Sequence, residues 1–446
     1  MEKTLFKRLL KIALPLMAGN FVQTLYNLTD TFFLGKLGAK ELSAPTIAFP
    51  IIFFLILFGI GLSMAGTTLI AQAKGKGDEE KVNFYLGQTC FILTVSSLII
   101  AAAGILLSSP LLSLMQTPEN VFAFTRDYMI IIFAGMPFMF GYFLLQASMQ
   151  GIGRTTVPLA LQVVTVAFNI ALDPLLIFGI WIFPEWGVRG AAAATVLARG
   201  LSSIAAYRIL IKGNMGMQLT LSNIRPDRQA IRLLLRIGIP SSFGQAFTAL
   251  GFTVLQGLVN TFGTAVIAAF GVANRIISLL SLPPMGISRA TTTLVGQSLG
   301  AKQVDQAKHV VTLSIISIQA ILIPTALIAF FFGSSFIRFF VDDPETILYG
   351  AELFRIVTPS VVLFGLVHAI IGAFQGAGDT KPVMYLSLSR LWVLRLPLAY
   401  LLAVVLAWGP VGIWWSMFLS NMIIAAAGLY WFRRGKWITA LDPDTI

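Results

Sequence analysis

Two aspartates lie inside segments that are otherwise apolar. Of the nineteen acidic residues in the chain, nearly all are in loops or at helix ends, whereas Asp30 and Asp173 lie well within apolar runs. An ionised carboxylate in the core of a membrane helix costs about 3 kcal/mol on insertion scales, so it needs a partner or a proton. The pair therefore predicts a site that binds a cation or a proton.

Neighbouring polar groups extend this site. Asn169 and Asp173 are four residues apart and share one helix face, and Thr195 adds a hydroxyl from the following segment. Two carboxylates, an amide and a hydroxyl suit a hard cation, so Asp30, Asn169, Asp173 and Thr195 are candidate Na⁺ ligands. Two nearby carboxylates also repel each other and share protons as a pair, which leaves H⁺ as the alternative coupling ion.

Three amides and one proline support the same site. Gln23 and Asn27 precede Asp30 at helical spacing, and together with Gln146 they are predicted to line a substrate chamber or to give polar support. Pro174 follows Asp173 directly and removes a backbone N–H, which predicts a hinge in that helix. The open alternative is that Asp173 only joins helices and that Pro174 is an ordinary membrane kink.

The composition predicts a polytopic membrane protein. The 446 residues are 57% hydrophobic and only 11% charged, and apolar runs long enough to cross a bilayer recur throughout. The net charge of +12 is dispersed over segment ends, which argues against a nucleic-acid partner. The single Cys90 excludes an internal disulfide. Metalloprotease, hydrolase and nucleotide-binding motifs do not occur, so we expect neither an enzyme nor a cofactor.

Glycine, proline and charge divide the chain into twelve predicted helical spans. Lysine and arginine are concentrated on one set of ends, so both termini are expected in the cytoplasm of a multi-pass inner-membrane protein. The predicted spans are 9–33, 43–70, 82–108, 121–146, 156–180, 188–211, 232–259, 266–294, 306–332, 346–371, 382–407 and 411–432.

The two halves match at an offset of 225 residues. Ile12–Pro15 falls on Ile237–Pro240, and Gln150–Gly153 (QGIG) falls on Gln375–Gly378 (QGAG). Six spans separate the matches, so the repeats are parallel and related by a pseudo-two-fold axis along the membrane normal. Such bundles bind substrate between their lobes. The predicted organisation is an N-lobe with the ion site at 1–211, a cytoplasmic connector at 212–231 and a C-lobe at 232–446.

The motifs resemble the multidrug and toxic compound extrusion (MATE) transporters over essentially the whole chain. The resemblance rests on Pro15 with the run Asp30–Gly35 (DTFFLG), the QGIG and QGAG loops, NIALDP and GAAAAT, and it is closest to the DinF-like branch. It implies export of amphipathic, often cationic compounds driven by H⁺ or Na⁺, with Asp30, Asn169, Asp173 and Thr195 at the coupling site. It also implies bending of the first helix at Pro15.

Some positions of this chain depart from the family pattern, so the roles of the family's residues at those positions cannot be assigned to it. The NorM-like branch has carboxylates in its C-lobe, where this chain has Thr248 and apolar residues such as Phe364, and Gln146 replaces a frequent asparagine. We expect a monomeric antiporter that works by alternating access among membrane lipids. A lipid-linked oligosaccharide flippase is the alternative, and it would need an arginine-lined cleft that includes Arg199, Arg275 or Arg395. A membrane enzyme would need a nucleophile or metal cluster, which the sequence lacks.

Overall fold

Helices make up the structure, a computed structural model that describes residues 2–439 and 441. Over that part of the chain no β-strand occurs. The first half contains α1 (Glu2–Leu37), α2 (Ala39–Lys76), α3 (Glu79–Leu114), α4 (Glu119–Ala134), α5 (Met136–Gly151), α6 (Thr156–Ile177), α7 (Val188–Lys212) and the short α8 (Leu221–Ile224).

In the second half the fourth long helix is continuous, and π-helical turns interrupt the fifth. It contains α9 (Arg228–Asn260), α10 (Thr264–Gly300), α11 (Val304–Arg338), α12 (Pro344–Gly376), α13 (Thr380–Leu388), π1 (Ser389–Arg395), α14 (Leu396–Tyr400), π2 (Leu401–Val405), α15 (Pro410–Arg433) and a final 3₁₀ turn (Lys436–Thr439). The stretch Thr380–Val405 acts as one span.

Membrane-crossing helices account for nearly the whole described chain. Nine of the described helices are long and apolar enough to cross a bilayer, and the pair α4–α5 adds a tenth. The remaining two long helices are α1 and α9, the first helix of each repeat. Polar side chains such as Gln23 and Asp30 on α1 and Arg232 and Arg236 on α9 make these two helices less apolar. With them, the described residues contain twelve long helical segments, the number of spans that the sequence predicts.

The fourth span is bent, whereas the sequence pattern predicted one continuous segment at 121–146. Helices α4 and α5 meet at Gly135 with an angle of 45°. Pro137 is in the first turn of α5 and has no N–H to continue the hydrogen-bond ladder of α4. The bend therefore has a local cause in the proline.

Contacts divide the chain into two compact units. One unit is Ala18–Ser242, and the other combines the residues up to Met17 with the chain from Phe243 onward. The two cuts, before Ala18 and before Phe243, are separated by the same 225-residue offset as the sequence repeat. The lobe boundaries at 1–211 and 232–446 stay a prediction.

The second unit has its own buried core. Leu9 and Ile12 from the first half of α1 belong to the same apolar cluster as Ile287 on α10 and Phe374 on α12. Gly286 lets α1 approach closely, because a Cβ at that position would lie 3.2 Å from the backbone nitrogen of Met17. The start of α1 is therefore packed with the second half of the sequence.

The segment predicted as the connector is fixed to α3 within the first unit. The side-chain amide of Gln88 donates to the carbonyl oxygens of Asn223 (2.9 Å) and Arg225 (2.7 Å), and its oxygen accepts from the backbone N–H of Asp227 (2.9 Å). Gly87 permits this approach, since a Cβ there would lie 2.1 Å from the Asn223 oxygen. The chain between α7 and α9 is thus a bound segment with a defined position on α3.

Candidate functional site

Helix α6 presents an aspartate and an asparagine on its buried face. Asn169 and Asp173 are both fully buried, as their i, i+4 spacing predicts. The side-chain N–H of Asn169 donates to Asp173 Oδ1 at 3.2 Å. Pro174 lies in the last turn of α6, which ends at Ile177. Any loosening caused by this proline therefore acts on the helix end that carries Asp173.

The second carboxylate comes from α1. Asp30 is partly buried, and Asp173 lies within electrostatic range of it. None of the ion pairs among the described residues involves either aspartate. Neither carboxylate therefore has an arginine or lysine ion-pair partner in that part of the chain.

Three buried oxygen atoms around this pair lack a hydrogen-bond donor. They are Asp30 Oδ1, Asp173 Oδ2 and Asn169 Oδ1, and none accepts a hydrogen bond from the residues that the structure describes. A buried oxygen without a donor costs about 1–3 kcal/mol, and more when it is charged. Oxygens arranged in this way can bind a small cation or a proton, which removes that cost.

Tyr26 connects the acidic pair to α7. Its hydroxyl is 2.8 Å from the hydroxyl of Thr195, and its ring is buried. Tyr26 lies one helical turn before Asp30 on α1, so its hydroxyl joins the helix that carries Asp30 to α7. The sequence prediction included Thr195 but missed Tyr26. Its position four residues before Asp30, on the same helix face, was the available signal.

A layer of amides and one arginine lies next to the acidic pair. Gln23 Oε1 accepts hydrogen bonds from Arg199 (3.2 Å) and from Gln162 (3.4 Å), and the Gln23 amide donates to Asn27 Oδ1 (3.2 Å). The guanidinium of Arg199 also lies 5.5 Å from the ring centre of Tyr26. Gln23 and Asn27 are thus joined in one hydrogen-bonded group, and their role as polar support stays a prediction. Arg199 contacts an amide and aromatic rings, and it forms no ion pair with either carboxylate among the described residues.

Two other predicted positions lie apart from these hydrogen bonds. Gln146 is partly buried on α5, and among the described residues it forms no hydrogen bond with the acidic pair or the amide layer. Pro15 is inside α1, two residues before the cut that assigns the rest of the helix to the first unit. Its role in bending stays a prediction.

Close packing of α6 and α7 positions the hydroxyl of Thr195. A Cβ on Gly190 would lie 2.2 Å from the carbonyl oxygen of Leu176, so only glycine permits this approach. Thr195 follows five residues later on the same helix. The distance between Tyr26 and Thr195 therefore depends on a helix contact that has no free space.

We expect Tyr26→Phe to weaken ion coupling and leave the fold intact. The change removes the hydroxyl that bonds to Thr195, a contact worth about 1 kcal/mol, or about fivefold in affinity. The measurement is the ion concentration that half-saturates transport in proteoliposomes. Tyr400→Phe is the matched control, because Tyr400 is exposed on α14. An unchanged half-saturating concentration would rule out a role for this hydroxyl.

Comparisons with known proteins agree with this architecture. The MatE family model matches residues 15–175 and again 240–401, which confirms the internal repeat. Probable multidrug resistance protein YoeA of Bacillus subtilis is 29% identical over 441 residues, covering 96% of this chain and 94% of that protein. Probable multidrug resistance protein NorM of Thermotoga maritima is 28% identical over 432 residues, with 97% and 93% covered.

A solved structure shows the same fold. The crystal structure of MATE in complex with MaL6 superposes with a TM-score of 0.90 at 24% sequence identity, covering 98% of this chain and 97% of that one. The prediction of an all-helical membrane protein with twelve helices in two lobes is thereby confirmed. The two relatives YoeA and NorM are named as probable multidrug resistance proteins, so the flippase alternative is not favoured and the chain is not an enzyme. This chain belongs to the MatE family of multidrug extrusion transporters.

Proposed function

We propose that the protein is a cation-coupled antiporter that exports amphipathic, often cationic compounds by alternating access. The observation that carries this proposal is the set of three buried oxygens of Asp30, Asn169 and Asp173 that have no hydrogen-bond donor among the described residues. Such a set stores a cost that a bound cation or proton relieves. Binding of the ion is then coupled to whatever conformation brings these oxygens together.

The coupling ion is Na⁺ or H⁺. Within the described part of the chain, no group of three or more His, Cys, Asp or Glu side chains could hold a metal ion. The two carboxylates and the amide oxygen are hard oxygen ligands that suit Na⁺, and a carboxylate pair can instead share a proton. Thr195 would take part through its hydroxyl, which also contacts Tyr26.

Ion binding would act through α1 and α6. A cation that enters from outside neutralises the Asp30–Asp173 pair, and bending at Pro15 and Pro174 then changes the packing of both helices. Pro15 and Asp30 are on the same helix, so a bend at Pro15 would transmit this change along α1. Coupling is reciprocal, so substrate binding must weaken ion binding by the same free energy. A membrane potential adds about 2.3 kcal/mol per charge for each 100 mV.

The proposal also includes the location, topology, oligomeric state and partners of the protein. We propose a monomer in the inner membrane with both termini in the cytoplasm, because the basic residues lie at the ends that the positive-inside rule assigns there. Gln146, Gln23 and Asn27 would contribute to the substrate chamber or support it. Lipids and small amphipathic molecules are the expected partners.

Binding of ²²Na⁺ to the purified protein at a series of pH values tests the proposal. Wild-type protein should bind Na⁺ above the pH at which the carboxylate pair takes up a proton and lose it below, and Asp30→Asn should bind none. Asp305→Asn is the control, since Asp305 is exposed at the start of α11. If wild type binds no Na⁺ at any pH, H⁺ is the coupling ion. Full Na⁺ binding by Asp30→Asn would contradict the site.

A further inference from the structure

Two arginines are buried near the middle of the span Thr380–Val405. Arg390 and Arg395 are 7% and 2% exposed, and both are in π1. The side chains are too far from either end of a 26-residue span to bring their charges to the membrane surface. A charge buried at this depth is costly and marks a functional position unless it has a partner.

The partners of Arg395 are neutral. Its guanidinium donates to Ser420 Oγ (3.0 Å) and Asn421 Oδ1 (2.7 Å), and Asn421 in turn donates to Ser360 Oγ (3.0 Å). These bonds fix the side chain against α15 and α12. They satisfy donors but leave the positive charge without a counter-charge.

Arg390 contacts aromatic faces. Its guanidinium carbon lies 4.1 Å from the ring centre of Phe364 and 5.9 Å from that of Phe252. Arg395 is also 5.9 Å from the Phe252 ring centre, so Phe252 lies close to both cations. No ion pair between described residues involves either arginine. The cluster of Arg390, Arg395, Phe252 and Phe364 is therefore a positively charged aromatic site.

The backbone at this cluster is unusual. Fewer than about 1% of residues in proteins are in π-helices, and π turns within helices occur frequently at functional sites. Here π1 contains both arginines, and π2 follows it in the same span. A wider turn changes the direction of the side chains relative to an α-helix, and it brings both guanidinium groups to the side of Phe252.

The corresponding span of the other repeat has the opposite charge. At the 225-residue offset, Thr155 before α6 falls on Thr380 at the start of α13. Helix α6 carries the buried Asp173, whereas the span from Thr380 carries two buried cations. The equivalent span of the repeat therefore carries a buried acid in one half and two buried bases, at other positions of that span, in the other half.

One aromatic ring of this cluster is exposed at the protein surface. Phe252 is 37% exposed, although both arginines next to it are buried. Guanidinium groups bind carboxylate and phosphate by paired hydrogen bonds, and they stack on aromatic rings. A ligand with a flat apolar body and one anionic group would fit both features.

We propose that Arg390, Arg395, Phe252 and Phe364 form an anion-binding site for the carboxylate or phosphate group of an amphipathic substrate. The inference rests on the chain being an exporter, but it does not depend on the acidic pair. It extends the substrate class from cations to zwitterions and anions, whose negative group takes the place of the missing counter-charge.

Two dyes with the same cationic ring system test the proposal. Rhodamine 110 carries a free carboxylate, and rhodamine 123 is its methyl ester. Wild-type protein should bind the carboxylate form more tightly by fluorescence polarisation. In Arg390→Gln the dissociation constant of rhodamine 110 should rise at least about tenfold, or about 1.4 kcal/mol, while that of rhodamine 123 is unchanged or lower. Arg338→Gln, at the exposed end of α11, should bind both dyes like wild type.

Further variants separate this site from a structural role. Arg390→Lys should keep part of the preference for rhodamine 110 that Arg390→Gln loses. Competition with benzoate and with phenyl phosphate shows whether the site prefers a carboxylate or a phosphate group. A purely structural arginine would change the melting temperature and affect both dyes equally. Equal binding of the two dyes by wild type, or an unchanged preference in Arg390→Gln, overturns the proposal. Asp173→Asn should keep the dye preference at equilibrium, so loss of coupling and loss of anion binding can be told apart.

Discussion

Asp173→Asn is expected to lower gradient-driven efflux about 100-fold, near the upper end of couplings between sites. The asparagine has nearly the same shape, so it can keep the contact with Asn169 on the buried face of α6. It removes the negative charge that makes ion binding favourable. Substrate would still bind, but an ion gradient could no longer drive its release.

Proteoliposomes with an imposed Na⁺ or pH gradient and a fluorescent lipophilic cation measure this effect. Asp305→Asn makes the same chemical change at an exposed residue and should keep full efflux. The melting temperature of Asp173→Asn should match or exceed that of wild type, since a buried charge without an ion-pair partner is removed. Wild-type efflux by Asp173→Asn would show that this carboxylate does not couple the ion.

The acidic site could be predicted because its signals are local in the sequence. Asn169 and Asp173 have i, i+4 spacing within an apolar run, and such a run predicts a helix whose polar face is turned inward. Asp30 stood out for the same reason. The membrane makes the pattern strong, since few polar residues can be tolerated in such helices.

The partners of these residues depend on tertiary contacts that the sequence pattern does not contain. In the sequence, nothing distinguishes Tyr26 from the other aromatic residues of the chain. Its contact with Thr195 depends on the position of α7, which the sequence pattern does not contain. Likewise, the place of Gln162 in the site depends on its hydrogen bond to Gln23, which is on another helix. Periodicity locates a face of one helix, but it does not say which face of a second helix lies opposite.

Irregular helix geometry was also missed. Pro137 is a sequence signal for the bend between α4 and α5. However, a proline alone does not predict a bend in this chain, because Pro110 and Pro324 lie inside continuous helices. The π turns of π1 contain no proline or glycine that could have indicated them in the sequence. The aromatic ring that both arginines share, Phe252, comes from a different helix, so the sequence pattern does not reveal this contact.

Gly190→Ala is expected to destabilise the protein by about 3 kcal/mol and to disrupt coupling. The added Cβ would lie 2.2 Å from the carbonyl oxygen of Leu176 and 2.5 Å from its carbon. These are backbone atoms of α6, so no side chain can rotate away and the two helices must separate. Overpacking of this kind costs about 1–3 kcal/mol, with rigid neighbours at the upper end. The separation would also lengthen the contact between Tyr26 and Thr195.

Gly200→Ala provides a control on the same helix. Its added Cβ would have its nearest neighbour, a ring carbon of Phe138, at 3.8 Å, which is ordinary contact. Because alanine favours a helix over glycine by about 0.5–1 kcal/mol, this variant should be as stable as wild type or slightly more stable. In detergent, the melting temperature should therefore fall in Gly190→Ala and stay the same or rise slightly in Gly200→Ala. Ion-driven efflux should fall only in Gly190→Ala. If Gly190→Ala melts and transports like wild type, the α6–α7 contact does not set the geometry of the coupling site.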